Sequence, residues 1–460
     1  MKKIIALLLC LTFVFGVLAA CNKTDGVPDN TNDNANDNTN TNDETVGGEE
    51  NDGENTDDKV DEEGAKDNNE GEGNIEDEIV DNKPTLDLEG VEAITYSHRE
   101  ADHQYTVGAA NRLLKFMNKT KESFLGVCKY YVNNEYELYG YNEMGNVLAA
   151  TYVKGPRMVH VYWIGGEMNE LGIVISDVAG KALPPVVPEV TTGEYETIAT
   201  QMRALESDKS TKINGMGYVI RLADGSFIVY DGGYTKRMPE LWNVLTTLNG
   251  GEEGIVIRAW LLTHAHGDHD QCFLAFADEY GSKVTLERLL VSPTAANMNK
   301  YTSAMRKFSG AKIVYVHTGM VFRFCDVKME ILCSSDEIYY DGASDDFNNS
   351  SIVSRVYKED GKSFLLLGDA GDDVSERLIP MYGEYLQSDI CQASHHGVED
   401  FTIEAYRLIR SEIWFYPCDT SLYNLTNRDR EVRDEIKNAE YTKRIYLHDT
   451  KRRYEVSLNS

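Results

Sequence analysis

The chain has 460 residues and a formal charge of −31, with 45 Lys and Arg against 76 Asp and Glu. That balance speaks against tight, sequence-independent nucleic-acid binding, which needs phosphate-neutralising Lys and Arg. Once a polar N-terminal stretch is set aside, the remaining length suggests two domains.

Met1-Lys2-Lys3 is a short basic region, residues 4–20 are apolar, and Leu18-Ala19-Ala20-Cys21 follows. Residues 1–20 resemble a bacterial lipoprotein signal, which implies lipid on Cys21 and a place on the extracytoplasmic face of the cell membrane. An uncleaved anchor is the alternative reading, although about 17 apolar residues fall short of the roughly 20 that span comfortably. Acyl chains at ~0.8 kcal/mol per buried CH₂ would anchor the protein stably. No other stretch of the sequence is long and apolar enough to cross a bilayer.

Residues 21–86 consist largely of Asn, Asp, Glu, Gly and Thr, and positions 22–86 carry 22 acidic and 4 basic side chains. A segment this polar cannot bury enough surface to offset its ordering entropy, so it is expected to be a disordered tether. Its root-mean-square span would be about 45 Å, with a ceiling near 215 Å. Setting aside this −18 and the +2 of Lys2 and Lys3, the formal −31 leaves −15 on residues 87–460.

Residues 87–186 read as a small β-rich (α+β) accessory domain. A helix is expected around Val107–Met117, then alternating runs over Glu135–Tyr141, Val147–Val153, Met158–Ile164 and Leu171–Ile175. Gly145-Asn146 and Gly155-Pro156 supply turns between them. Their Tyr-rich strands could bind a polymer, but aromatic strand residues more often pack a core. Leu183-Pro184-Pro185-Val186-Val187-Pro188 is the expected linker into a second domain spanning 187–460.

In that second domain, residues 254–262 read as a buried strand and Asp270–Tyr280 carries apolar residues at helical spacing. Between them, Thr263-His264-Ala265-His266-Gly267-Asp268-His269-Asp270 places three imidazoles and a carboxylate within six positions. His264 and His266, two apart on an extended segment, can point to one side. Asp268 and His269 follow the Gly267 bend and can serve a second point nearby. Imidazole nitrogen with carboxylate oxygen suits one or two divalent ions, zinc first, with iron or manganese as alternatives.

Four further elements flank this cluster in order. Residues 225–231 form an expected strand ending in Asp231-Gly232-Gly233; Asn348-Asn349-Ser350-Ser351 precedes another strand; Lys362–Leu367 leads into Gly368-Asp369; and Ser394-His395-His396-Gly397 comes last. The cluster and these elements resemble the metallo-β-lactamase superfamily from about residue 190 onward. The Asn-Asn-Ser-Ser, Gly-Asp and His-His-Gly elements look most like the soluble hydrolase domain of ComEC-type proteins. The resemblance implies a four-layer αββα sandwich and a zinc (or manganese) centre of one or two ions. It implies His264, His266, Asp268, His269, Asp369 and a late histidine as ligands, with Asp369 bridging. It also implies that Asp231 orients a ligand histidine, with Asn349 and Ser350 nearby.

Two adjacent histidines cannot both point the same way, so one is the late ligand and the other a substrate-side or outer donor; His395 is taken as the ligand and His396 as the other. Asp268, Asp369 and His396 are thus the catalytic candidates. The family usually completes its first ion position with a histidine lying between the signature and the bridging Asp. Only His317 falls there, and it reads as structural. The first position would then rest on His264, His266 and Asp369.

An ion held this way lowers the pKa of bound water to about 7, which implies hydrolysis by metal-bound hydroxide. The nearest-looking relatives imply a phosphodiester or phosphate ester, small or polymeric. A nuclease activity stays compatible, although net charge speaks against strong nucleic-acid binding. The alternatives are an amide or lactone hydrolase, and a non-catalytic surface-binding lipoprotein with a structural metal site. Of the eight cysteines, Cys10 and Cys21 sit in the signal region, and the other six lack Cys-x-x-Cys spacing and read as small core residues. Cys272 would stand beside the cluster.

Overall fold

Turn chemistry and period-2 patterning build the first sheet. Gly145 and Gly155 adopt φ of 56° and 59°, conformations that other residues rarely take. They fold β3 (Glu137–Met144), β4 (Val147–Lys154) and β5 (Arg157–Ile164) into a meander, which β6 (Glu170–Ser176) extends. The computed structural model describes residues 85–460 apart from 108–110, 178, 186–192, 206–214, 293–297, 335–347, 398–400 and 426–429. The signal, Cys21, the tether up to residue 84 and the second half of the Pro-rich linker lie outside the described residues.

The helix expected around Val107–Met117 is instead a hairpin of β1 (His103–Val107) and β2 (Asn111–Phe116). The reason lies in the faces: Leu113 packs into one core, whereas Leu114 and Phe116 pack into another on the opposite face. That is strand periodicity, and pairing with β6 fixes it. A helix does form just after, α1 (Lys121–Asn133), where the Thr120 hydroxyl accepts from the Ser123 N–H. The sheet is antiparallel throughout, in the order β1-β2-β6-β5-β4-β3.

The rest of the chain forms two sheets. One contains β7 (Ile198–Gln201), β8 (Gly217–Arg221), β9 (Phe227–Asp231), β10 (Val256–Leu261), β11 (Thr285–Leu286), β12 (Arg288–Val291) and β13 (Lys312–Tyr315). The other contains β14 (Val321–Phe324), β15 (Val327–Cys333), β16 (Val353–Tyr357), β17 (Ser363–Leu366), β18 (Ile390–Gln392), β19 (Ile413–Tyr416) and β20 (Arg444–Leu447). The last strand, β21 (Tyr454–Ser457), returns to the first of these sheets beside β7.

Their inner faces meet in a core that includes Tyr218, Ile228, Tyr230, Ile331, Val356, Phe364 and Phe415. The outer face of the first sheet is covered by α2 (Met238–Asn249), α3 (Gly267–Tyr280) and α4 (Met298–Met305) around Trp260 and Phe273. The outer face of the second is covered by α5 (Asp372–Tyr382) and α6 (Ile403–Ile409), with Ile436 of a later helix. Helix, sheet, sheet and helix form the four-layer αββα sandwich of the metallo-β-lactamase fold.

The six-stranded sheet joins this sandwich through side chains. Its Met144, Val147, Tyr162 and Val174 share a core with Leu332, Leu378 and Met381. Glu170 of β6 accepts from Lys115 at 2.9 Å and from Arg377 of α5 at 2.7 Å, with Lys115 and Glu170 both buried. Breaking a buried ion pair from one side is costly because the surviving charge loses its compensation. Glu170→Ala should lower unfolding stability by about 3–5 kcal/mol, measured by denaturant titration. Wild-type stability in that variant would show that the pair does not bind the sheet to the sandwich.

Candidate metal centre

Strands β9 and β10 run parallel in one sheet, and β17 and β18 run parallel in the other. Ligands bind outside the carboxyl ends of such strands, and every residue of this centre follows one of these four ends. Asp231 closes β9, residues 263–269 follow β10, Asp369 follows β17, and His395 and His396 follow β18. The Ile352 N–H donates to the Thr263 carbonyl at 2.9 Å, tying the two sheets together at this end.

Asp231 is fully buried with φ 50°. Its Oδ1 accepts the Thr263 N–H at 2.7 Å, and its Oδ2 accepts the Thr263 hydroxyl at 2.8 Å. That same Oδ2 lies 2.8 Å from His269 Nδ1, and His269 Nε2 lies 3.0 Å from Asp369 Oδ2. The imidazole is therefore clamped between two carboxylates, its Nδ1–H given to Asp231 and its Nε2 turned to Asp369.

His396 is held likewise. Its Nδ1 donates to the Pro417 carbonyl at 3.0 Å, which aims Nε2 at Asp268 Oδ2 (3.2 Å) and Asp369 Oδ2 (3.5 Å). Ligand atoms of Asp268, His269, Asp369 and His396 all lie within 4.8 Å of one another. On the other side, His264 Nε2 lies 3.1 Å from His266 Nδ1 and 3.8 Å from Asp369 Oδ2, while His264 Nδ1 faces the Ser351 hydroxyl at 3.3 Å.

The expectation that adjacent histidines must diverge does not hold. His395, His396 and Gly397 have φ of 45°, 58° and 73°, a left-handed turn and not an extended strand. Both rings consequently reach the same carboxylate, with His395 Nε2 3.9 Å from Asp369 Oδ2. The compact four-residue group contains His396, where His395 was expected. Left-handed backbone costs roughly 1–2 kcal/mol per non-glycine residue, and such strain collects where function requires it.

Burial pushes the His264 imidazole well below its ordinary pKa, and the neighbouring His269 adds to the effect. Burial also opposes charge on His269, but Asp369 and Asp231 outweigh it and hold the ring well above the usual range. For His396 burial is likewise outweighed, chiefly by Asp369 and Asp268, and its pKa rises to about 10. Burial alone would raise Asp369, yet the cationic His269 and His396 hold it well below the carboxylate range. Asp268 is lowered for the same reason. The carboxylates thus demand positive charge at this point.

Asp369 Oδ1 is buried with no hydrogen-bond partner among the described residues. An orphaned carboxylate oxygen beside converging imidazole nitrogens fits a divalent cation, and the N/O donor set suits zinc, with iron or manganese compatible. The Asp369 backbone is equally fixed: its N–H donates to Ser351 Oγ at 3.0 Å, and Gln392 Oε1 accepts from both Leu367 and Gly368 at 2.8 Å. Gly368 has φ 60°, and a Cβ there would stand 2.9 Å from Ser351.

Of the outer residues, Asn349 accepts the Gly371 N–H at 2.7 Å and reaches Asp373 at 3.2 Å, holding the start of α5. Ser350 is buried in the same turn. Asn348 and Ser351 belong to the Asn-Asn-Ser-Ser element but were given no role from the sequence, and Gln392 was not singled out, because only the folded turns bring them here. Asn348 Nδ2 lies 3.3 Å from His395 Nε2. His317 stacks near His160, ring centroids 6.5 Å apart, outside the group of four. Cys272 is buried under Gly232, and burial pushes its thiol up to about 12, so it is inert at neutral pH.

No family model and no curated protein matches the chain. Among solved structures it is similar to Zn²⁺-bound PqqB from Methylobacterium extorquens at 9% identity, covering 56% of this chain and 100% of that one with a TM-score of 0.36. A diphosphatase of the PhnP family matches at 11% identity, covering 57% and 99%, TM-score 0.34. CmlA, a diiron β-hydroxylase from Streptomyces venezuelae, matches at 13% identity and TM-score 0.34, and the 58% of this chain that aligns spans 55% of CmlA. These relatives have the metallo-β-lactamase fold.

Asp231→Asn preserves size and suits the left-handed backbone, yet weakens the hold on His269 Nδ1. Zinc affinity, measured by competition with a chromophoric chelator, should fall by about 10–100-fold. An unchanged affinity would remove Asp231 from the centre.

Proposed function

We propose that the chain is a metal-dependent hydrolase of a phosphate ester or phosphodiester, carried on the extracytoplasmic face of a membrane by lipid on Cys21. The observation that supports it most directly is the convergence of Asp268, His269, His396 and Asp369, whose Oδ1 has no partner among the described residues. No helix among the described residues is long and apolar enough to cross a membrane. Anchoring therefore rests on the resemblance of residues 1–20 to a lipoprotein signal.

Asp268, His269, Asp369 and His396 would hold one ion. When bound, such an ion lowers the pKa of a coordinated water to about 7 and stabilises negative charge on a substrate oxygen. Asp231 fixes the His269 ring, and Pro417 fixes the His396 tautomer, so neither nitrogen has to be reoriented during turnover. Asp268 keeps 15% of its side-chain surface, against 2% for Asp369. Of the two carboxylates it is the one open to substrate, and its lowered pKa keeps it ionised as a ligand at neutral pH.

A phosphate ester fits because its reacting oxygens are anionic and an ion held here would supply the positive charge that binds them. The −15 on residues 87–460 favours a short or small ester over long nucleic acid, whose binding requires a basic track. Zinc and manganese forms of the full-length chain, assayed on a bis-aryl phosphate beside a chromogenic lactam, should turn over the phosphate in preference. His264→Ala and Asp369→Ala should each lose about 10³-fold or more, since the charge stabilisation at stake is several kcal/mol. Lactam turnover alone would transfer the assignment to amide bonds. Less than one equivalent of metal after reconstitution would leave a binding lipoprotein.

A further inference from the structure

Three segments at the end of the sandwich that carries the centre share a charge opposite to that of the chain. The loop from β20 to β21 (residues 448–453) crosses between the sheets at this end, because β17 to β20 run parallel and β21 starts beside the end of β7. Residues 201–205 end β7 and lead away from it, and 234–240 follow β9, at the same end. Together they hold Arg203, Lys236, Arg237, Lys451, Arg452 and Arg453 against Glu240 and Asp449. That is a local +4 in a stretch, residues 87–460, whose formal charge is −15. We propose that this cluster is a subsite for a second phosphate of the substrate, so that the ester cleaved at the centre carries a further phosphate about 10 Å from the reacting one. The proposal rests on reading the centre as a phosphate-ester hydrolase and adds the class of ester.

Hydrogen bonds tie the cluster together and to the centre. Arg203 Nη2 lies 2.5 Å from Glu240 Oε2 and Arg453 Nε 2.8 Å from Glu240 Oε1, so one buried carboxylate holds two guanidinium groups side by side. Without it they would repel one another. Both arginines spend Nε and Nη2 on fixed partners, leaving each Nη1 without a hydrogen bond among the described residues. The planar fork of a guanidinium suits phosphate oxygens. Arg452 and Lys451 are exposed beside them. Arg237 donates to the Arg203 carbonyl at 2.6 Å and to the Gly215 carbonyl at 2.7 Å, and the next amide, Met216 N–H, donates to the Asp268 carbonyl at 3.0 Å.

The spacing follows from the strand order. His395 and His396 follow β18 and His448 follows β20, two strands further along the same sheet, which is about 10 Å at ordinary strand separation. The His448 N–H donates to the Cys418 carbonyl at 2.9 Å, beside the Pro417 carbonyl that takes His396 Nδ1. Burial pushes the His448 ring well below its ordinary pKa, and both Arg237 and His396 add to the effect, so the ring lies within electrostatic reach of cluster and centre alike. The opposite flank has the reverse charge: exposed Asp372 and Asp373 open α5 directly after Asp369. A doubly charged ester is therefore drawn to lie one way across the centre, its second phosphate toward the β20–β21 loop.

Two p-nitrophenyl phosphodiesters serve as probes for the zinc form of the full-length chain, alike except that one carries a terminal phosphate on its non-aryl alcohol. The wild type should prefer the doubly charged ester by about 10-fold, mainly through KM, because partly exposed ion pairs each contribute modestly. Added salt should shrink the preference as the screening length falls. Lys451→Gln/Arg452→Gln should bring it near unity with zinc content unchanged, and Arg452→Gln alone should take it part of the way. Lys443→Gln/Arg444→Gln removes the same charge at the other end of β20 and should retain the preference. Equal turnover of the two esters by the wild type would overturn the subsite and leave the hydrolase reading intact. So would a preference that the Lys451/Arg452 variant keeps, or one that both double variants lose alike. Absence of turnover of either ester by zinc-loaded protein would overturn both.

Discussion

One buried carboxylate organises the centre. Asp369 lies where two β-sheets end, and burying its charge without compensation would cost several kcal/mol. Four imidazole nitrogens approach its Oδ2 within 3.9 Å. With Asp231 and Asp268 also present, this end of the sandwich has more buried negative charge than its neutral donors can satisfy. Without an ion, protons on His269 and His396 make up the difference, and the raised pKa of both rings reflects that substitution. A divalent cation would take over the same role and release the imidazoles as neutral ligands.

Holding these groups together requires unusual backbone at several points. Asp231, His395 and His396 are non-glycine residues at positive φ, and Gly232, Gly233, Gly368 and Gly397 share that region. They sit at the carboxyl ends of β9, β17 and β18. The ordered sandwich core beneath them, with Tyr218, Phe364 and Phe415 edge on or tilted to one another, is what can over-determine such turns. Strain here is therefore tied to the position of side chains and not to loop length.

Much of this was legible in the sequence because its signals are local. The strands from Glu137 to Ser176 followed from alternation and turn residues, and the His264–His269 segment announced its chemistry by composition. Signals that depend on three dimensions were not legible. The β1–β2 hairpin looked helical because apolar spacing over a short window fits both periods, and pairing with β6 decided it. The roles of His395 and His396 could not be read from adjacency, since a left-handed turn is invisible until Gly368 and Tyr416 fix it. Gln392 carries no local signature at all, and the Asn-Asn-Ser-Ser element does not tell what Ser351 holds; the importance of both comes from which backbone amides they meet.

The six-stranded sheet bears on the centre through α5. That helix begins at Asp372, three residues after Asp369, and Asn349 holds its first turn. At its other end the β3–β4 turn grips it: Asn146 donates from its backbone to the Met381 carbonyl at 2.7 Å and from its side chain to Pro380 at 2.8 Å. A Cβ on Gly145 would come 2.8 Å from the Met381 carbonyl, so the approach is as close as backbone allows. Glu170 adds the ion pair to Arg377 in the middle of the same helix. Three separate contacts thus brace the element that follows Asp369. Because packed elements move as units and not by continuous deformation, the sheet and the helix that follows Asp369 are joined mechanically as well as by packing.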